Sequence, residues 1–191
     1  MATVREGNKA VLVVVDVQVG VMQDAWDAPR VIGNVLTAVE RARAADVPVI
    51  WVQHSNHELV RDSAAWQWVP ELVPAAHELR VHKKYNSSFE DTPLDNELTR
   101  LAATHVVLAG AASNWCIRAT AYGALDRGYD LTLVKDAHTT QSMQLDDGSV
   151  IDAERVIQEL NVAMKWLEYP GVKNCTANAA ELDFALPGRG L

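Results

Sequence analysis

A run of apolar, mostly β-branched residues at positions 10–15, which stops at the carboxylate of Asp16, constrains the fold more than any other feature of the chain. A continuous apolar run of this length is typical of a strand that is covered on both faces. Strand-like runs and segments of helical periodicity then alternate along the chain. This alternation predicts a three-layer α/β/α fold, Rossmann-like, with a mostly parallel sheet of six strands.

The predicted elements are based on the spacing of apolar residues and on glycine and proline residues that mark the ends of helices and strands. The strands are predicted at residues 10–15, 48–53, 79–82, around Val106, at 131–134 and at 172–176. The helices are predicted at residues 31–45, 93–102, directly after Cys116 and at 152–166. No repeat or linker divides the chain, so we expect one domain over residues 1–191, with a tail that frays from about residue 184.

The net charge of the chain limits the classes of molecule that it is expected to bind. The chain has 25 acidic and 17 basic residues, a formal net charge of -8, which argues against nucleic acid or an anionic membrane as a partner. No apolar stretch is long enough to span a bilayer, and the first residues lack the apolar core of a signal peptide. We therefore expect a cytoplasmic protein with a small-molecule substrate, whose cysteines, Cys116 and Cys175, are reduced.

Three reactive side chains follow three predicted strands: Asp16, Lys83 and Cys116. Ligands of open parallel sheets bind beyond the carboxyl ends of the strands, so these side chains are expected at one rim. The helix start around Cys116 favours a thiolate, Asp16 is a plausible base, and Lys83 can pair with either charge. Taken singly, they also fit a turn aspartate, a surface lysine and a small apolar residue. Taken together, they indicate nucleophilic catalysis.

Three spaced motifs contain these residues: VVVDVQ at 13–18, KKYNSSF at 83–89 and GAASNWCIRAT at 110–120. In this order and at these separations, the chain resembles the isochorismatase-like cysteine hydrolases over roughly residues 9–183. That family includes nicotinamidase, N-carbamoylsarcosine amidase and ureidoacrylate amidohydrolase.

The resemblance implies a catalytic triad of Asp16, Lys83 and Cys116, with Lys83 rather than its neighbour as the lysine. It also implies a cis peptide bond between Ala111 and Ala112, and an oxyanion hole formed by the backbone N–H groups of Ala112 and Cys116. The implied reaction is hydrolysis of an amide, carbamoyl or ureido group through a thioester, without an organic cofactor. Relatives of this family assemble as dimers or tetramers, so a homodimer or homotetramer is expected.

Five further residues are predicted to contact substrate: Gln18, His54, Phe89, Trp115 and His138. Four of them have a structural alternative. His54 could hydrogen-bond within its loop, Phe89 could be ordinary packing or a subunit contact, Trp115 could cap a gap in the core, and His138 could cap a turn.

Two other functions stay open. Nicotinamidases carry a metal site built from an aspartate and two histidines after the second strand. Here His54 and His57 lack that aspartate and its spacing, so we predict that no metal is bound. A vinyl-ether hydrolase of the isochorismatase type, which needs no cysteine nucleophile, is the first alternative. A catalytically idle binding protein of the same fold is the second, suggested by Trp115 beside the nucleophile and by the lack of a substrate signature.

Overall fold

The structure, a computed structural model, describes residues 5–184. Its strands are β1 (Lys9–Val15), β2 (Val49–His54), β3 (Leu79–Lys83), β4 (Ala103–Ala111), β5 (Asp130–Thr139), β6 (Met143–Gln144), β7 (Val150–Ile151) and β8 (Asn174–Ala177). Its helices are α1 (Val19–Met22), α2 (Ala28–Ala44), α3 (Leu94–Arg100), α4 (Arg118–Asp126) and α5 (Ala153–Trp166), with a π-helical turn at Ser113–Ile117 and a 3-10 turn at Ala179–Glu181. The predicted fraying of the tail falls mainly on residues 185–191, outside the described residues.

Six strands form one parallel sheet in the order β3-β2-β1-β4-β5-β8. The central strand β1 is buried from its second residue to its last, as the continuous apolar run predicted. Successive strands run to one side of β1 and then, from β4 onward, to the other. The order therefore reverses between β1 and β4, and ligands of such sheets bind at the carboxyl ends of the strands beside a reversal of this kind.

Side chains of β1 alternate between two apolar layers, because neighbouring residues of a strand point to opposite faces. Val11, Val13 and Val15 pack with α3, α4 and α5, whereas Leu12 and Val14 pack with α2 and the 3-10 turn. The predicted three-layer α/β/α fold is confirmed. No helix among residues 5–184 is long and apolar enough to cross a bilayer.

The structure differs from the predicted elements mainly near the carboxyl rim. Strand β5 continues to Thr139, beyond the predicted end at residue 134, because it resumes pairing with β4 after the polar pair Lys135 and Asp136. The two-stranded hairpin β6–β7 and the four-residue helix α1 were not predicted. Elements this short bury too little apolar surface to leave a periodic pattern in the sequence.

Gly110 allows β4 to approach β1 closely just before the turn that leads to Cys116. Its φ is +125°, and a Cβ atom at this position would lie 2.0 Å from the carbonyl oxygen of Val15. A side chain is therefore excluded here, which explains the glycine of the third motif.

Candidate active site

Asp16 lies at the carboxyl end of β1, in the left-handed region of backbone conformation (φ 53°). Aspartate is one of the few residues other than glycine that tolerate this conformation. Its N–H donates to the carbonyl of Val52 at 2.8 Å, which fixes the end of β1 to β2. The side chain is held at the rim but is buried, with 2% of the residue exposed.

Lys83 reaches the same point from β3. Burial alternates along that strand, so Lys83 is only 1% exposed whereas Lys84 is exposed. Only one of the two lysines therefore faces the interior. Lys83 is the register partner of His54 on β2, and this pairing places both side chains beside Asp16.

Cys116 completes the cluster from the π-helical turn after β4, and 8% of the residue is exposed. The Lys83 ammonium donates to Asp16 Oδ2 at 2.7 Å and to Cys116 Sγ at 3.0 Å. The structure thus brings together the three residues predicted as a triad. Lys83 also donates to the carbonyl of Tyr85 at 3.2 Å, a backbone contact that no side-chain pattern could predict.

The ammonium of Lys83 stays charged in this buried place. Burial acts to lower its pKa, but the charge of Asp16 and the sulfur of Cys116 outweigh burial, and the pKa is raised. A permanent positive charge therefore lies between the carboxylate and the thiol.

The thiol of Cys116, in contrast, is neutral at rest. Burial, together with the neighbouring Asp16 carboxylate, raises its pKa to about 12, although Lys83 acts in the opposite direction. The prediction that the helix start favours a thiolate is wrong for the resting site. The helix terminus is a weak influence compared with loss of solvent and a carboxylate at close range.

A metal ion does not fit the cluster as it stands. Single ligand atoms of Asp16, His54 and Cys116 lie within 4.8 Å of one another, a spacing that suits a cation. The Lys83 ammonium contacts all three of these residues, so an added cation would meet a buried positive charge. His57, the second histidine of the segment compared with the nicotinamidase metal site, is exposed and lies beside Glu58.

The peptide bond between Ala111 and Ala112 is cis, at the position where the resemblance implies one. The carbonyl of Ala112 accepts hydrogen bonds from the N–H groups of Trp115 and Ile117, each at 3.1 Å. These bonds hold the π-helical turn that carries Cys116. The oxyanion-hole role of the Ala112 and Cys116 N–H groups stays a prediction.

Gln18 is placed for support rather than for the predicted substrate contact. It is fully buried, and its amide nitrogen donates to the carbonyls of His54 at 3.1 Å and Trp66 at 2.7 Å. Its side-chain oxygen accepts from the N–H of His54 at 2.9 Å. With both of its donor hydrogens used, Gln18 connects the end of β2 to the loop that follows it.

Phe89 also differs from its predicted role. It is 6% exposed, stacks on Tyr129 with ring centroids 6.1 Å apart, and lies under the guanidinium of Arg127. These contacts place it in the apolar layer with α4, so the packing alternative describes it better than a substrate contact does.

His138 is buried, and both ring nitrogens are used. Asn161 donates its amide N–H to the carbonyl of Lys135, so its oxygen faces His138 Nε2 at 3.0 Å and requires a hydrogen there. Nδ1 therefore accepts from the hydroxyl of Ser113 at 2.8 Å. Burial lowers the pKa of His138 to about 4, so the ring is neutral. These contacts favour the turn role over the predicted substrate contact.

Ser113 and Asn161 were missed by sequence reasoning. Ser113 begins the π-helical turn of Cys116, and Asn161 anchors His138 from α5. Neither belongs to a pattern of reactive residues, and only the fold brings them into one hydrogen-bonded chain.

Trp115, next to Cys116, is 53% exposed. Trp115 is therefore not part of the buried core. A large apolar side chain with this exposure beside Cys116 is compatible with the predicted contact to substrate.

Comparison with known proteins points to one family of hydrolases. The chain matches the isochorismatase domain family over residues 10–161. It is 35% identical over 136 residues to a streptothricin hydrolase of Streptomyces noursei, which covers 68% of this chain and 54% of that protein. It is 29% identical over 108 residues to a secreted isochorismatase effector of Verticillium dahliae, which covers 54% of this chain and 57% of that protein. The chain thus spans about half the length of the curated relatives it matches.

Solved structures agree as well. An isochorismatase from Pseudomonas putida KT2440 superposes with a TM-score of 0.81 at 26% identity, covering 96% of this chain and 94% of that one. A cysteine hydrolase from Pseudomonas syringae pv. phaseolicola shares the fold, with a TM-score of 0.78 at 18% identity over 95% of this chain and 96% of that one. Because the family match covers most of its length, the chain belongs to the isochorismatase family of hydrolases.

Proposed function

We propose that the protein is a cysteine-dependent hydrolase that cleaves a C–N bond of a small amide, carbamoyl or ureido compound through a thioester. The observation that carries this proposal is the buried chain of contacts from Asp16 through Lys83 to Cys116, at 2.7 and 3.0 Å. A carboxylate, an ammonium and a thiol at these distances are the parts that nucleophilic catalysis needs.

The charges of the cluster favour proton transfer within it. At rest, the Asp16 carboxylate and the Lys83 ammonium cancel and the thiol is neutral. Moving the thiol proton to Asp16 leaves a neutral acid, an ammonium and a thiolate, which again cancel. Loss of the proton to solvent would instead leave a net negative charge in a buried place, which is why the thiol pKa is about 12. The raised pKa is therefore compatible with a thiol that ionises only by passing its proton to Asp16.

Asp16 has a free oxygen for this step. Its Oδ2 is bound to Lys83, whereas Oδ1 is buried and has no hydrogen-bond partner among residues 5–184. Oδ1 accepts the thiol proton as sulfur attacks the substrate carbonyl, and it returns that proton to the leaving nitrogen. The N–H groups of Ala112 and Cys116 stabilise the oxyanion. Water, activated by Asp16, then releases the acyl group from sulfur.

The test is a panel of small amides and ureas assayed for ammonia or amine release, with the Cys116→Ala protein as control. One relative is named a streptothricin hydrolase, so streptothricin belongs in the panel. We expect turnover of at least one C–N substrate that Cys116→Ala abolishes. Full activity of Cys116→Ala would overturn the proposal. Isochorismate hydrolysis that survives this substitution would favour the vinyl-ether alternative.

Self-association into a dimer or tetramer and a cytoplasmic location also stay proposals, which rest on the resemblance and on composition. Light scattering of the purified protein measures the first. A single species with the mass of one chain, 20.9 kDa, would contradict it.

A further inference from the structure

The outer face of α5 exposes two large apolar side chains. Val162 is 58% exposed and Trp166 is 72% exposed. They lie on one face of the helix, because residues four positions apart are neighbours there. The buried residues of α5 lie on the opposite face, which packs on the sheet. The side of a helix that faces water is normally polar, so these two side chains indicate that another surface covers this face.

The helix α2, in contrast, has an ordinary outer face. It covers the same sheet from the other side, and every large apolar residue of α2 is buried or half-buried. Its exposed residues include Arg30, Glu40 and Arg41. The exposed apolar side chains are therefore a property of α5, not of both helical layers.

Charged residues on the outer face of α5 are arranged symmetrically about Val162. Glu159 lies three positions before Val162, Lys165 lies three positions after it, and both are exposed. When two copies of α5 are placed antiparallel with Val162 at a twofold axis, Glu159 of each copy faces Lys165 of the other. Opposite charges then meet twice, which is the self-complementarity that a twofold contact between identical chains needs.

The surroundings of these charged residues leave them able to pair across such a contact. Glu159 forms an ion pair with Arg118 of α4, which also interacts with the half-buried Tyr122. A carboxylate has about four lone-pair sites, so Glu159 can accept from a second cation as well. Lys165 has no carboxylate partner among residues 5–184, and its ammonium lies 5.6 Å from the ring centroid of Trp166.

We propose that the outer face of α5 is a contact between two copies of this chain, which pack antiparallel about a twofold axis at Val162. In this contact Val162 meets its own copy, and Trp166 lies over the amino-terminal half of the other α5. The Glu159–Lys165 pairs lie on either side of the axis. The contact assigns a surface to the self-association proposed above, and it does not depend on the reaction at Cys116.

Exchange of charges tests the pairing. In Glu159→Lys each copy presents two lysines, and in Lys165→Glu each presents two glutamates, so like charges meet when either variant pairs with itself. A mixture of the two variants restores opposite charges at both contacts. We expect the dimer dissociation constant of each variant alone to rise about tenfold, and that of the mixture to return within about threefold of the unsubstituted value. Analytical ultracentrifugation measures these constants, and Glu40→Lys on α2 is the control without effect.

Substitution of the exposed aromatic tests the apolar part of the contact. Trp166→Ser should raise the dimer dissociation constant by more than about tenfold, because buried tryptophans contribute strongly to protein interfaces. A dissociation constant unchanged in Trp166→Ser would overturn the inference.

A cysteine at the axis tests the geometry. A residue on a twofold axis meets its own copy, so Val162→Cys in a Cys175→Ala background should form a disulfide between copies under mild oxidation. Glu40→Cys in the same background should remain unlinked on a nonreducing gel. Failure of Val162→Cys to cross-link, or a mixture of charge variants that binds no tighter than each variant alone, would overturn the inference. A panel without turnover would count against the proposed function only.

Discussion

The two cysteines have different chemical surroundings at two places beside the same sheet. Cys116, at the carboxyl rim, is buried against the charged pair of Asp16 and Lys83. Cys175 is exposed on the edge strand β8, and its sulfur lies 3.2 Å from the hydroxyl of Thr132, which lies 2.8 Å from His105 Nε2. Both thiols are free, and both belong to small polar clusters.

The two regions differ in the charged groups that surround the sulfur, not in the thiol itself. Cys175 contacts a neutral hydroxyl, and burial lowers the pKa of the nearby His105, although the charge of Asp130 acts in the opposite direction. The cluster around Cys116 instead holds a permanent ammonium and a carboxylate, one oxygen of which has no hydrogen-bond partner among the described residues. A proton can pass from Cys116 to Asp16 without changing the net charge of this cluster, whereas the Thr132 hydroxyl is too weak a base to take a proton from Cys175.

Removing each sulfur in turn tests this contrast most severely. Cys116→Ala should lower kcat about 10^4-fold, because no other group of the rim replaces the nucleophile. Cys175→Ala should leave kcat within about twofold. Steady-state assays of both proteins on the best amide of the panel measure the two effects. Comparable losses in both proteins would remove the distinction between the regions.

Titration of the thiol is the second test. The shift of the Cys116 pKa from an ordinary value near 9 to about 12 weakens its ionisation about 10^3-fold. The ultraviolet absorbance of thiolate, measured as unsubstituted protein minus Cys116→Ser, should stay low through pH 10 and rise toward pH 12. The sign follows from burial, which favours the uncharged form. A thiolate signal already complete below pH 8 would contradict the neutral resting thiol.

Lys83→Met tests the charge balance. The substitution leaves the Asp16 carboxylate buried without its partner, and we expect a loss of about 3 kcal/mol in the free energy of unfolding. Lys84→Met is the matched control, because Lys84 is exposed, and its cost should be below about 0.5 kcal/mol. Urea denaturation measures both values. Equal stability of the two proteins would mean that the ion pair is not needed to bury Asp16.

Asn161→Ala and Thr132→Val test how hydrogen bonds stabilise the surroundings of Cys116 and of Cys175. Their effects are expected to be smaller than those above. Each substitution removes two hydrogen bonds and should cost about 1–2 kcal/mol of stability. Only Asn161→Ala should also lower kcat, about tenfold at unchanged KM, because Asn161 orients His138 and through it the turn of Cys116. A similar fall of kcat in Thr132→Val would show a general loss of packing instead.

The layers of the fold were largely predictable, because they depend on apolar runs that few other folds accommodate. The meeting of Asp16, Lys83 and Cys116 was predictable for a related reason, since the carboxyl ends of parallel strands lie at the same edge of a sheet. The ionisation of Cys116 was not, because sequence reasoning weighed a helix terminus and could not measure burial beside a carboxylate.

The roles of the surrounding side chains were harder to predict. Three residues lie in or near the motifs, as substrate-binding residues do: Gln18, Phe89 and His138. Their hydrogen-bonding atoms or rings instead contact other residues of the protein. Which way a rim side chain faces depends on contacts from elements distant in sequence, such as Asn161 on α5. Periodicity carries no information about those contacts.

The most direct measurement is acid quench of the enzyme during turnover of its best amide, followed by mass spectrometry of tryptic peptides. We expect the acyl group as a thioester on the peptide of residues 101–118, which contains Cys116. An acyl group on the peptide that contains Cys175, or turnover that persists in Cys116→Ala, would contradict the assignment of Cys116 as the nucleophile.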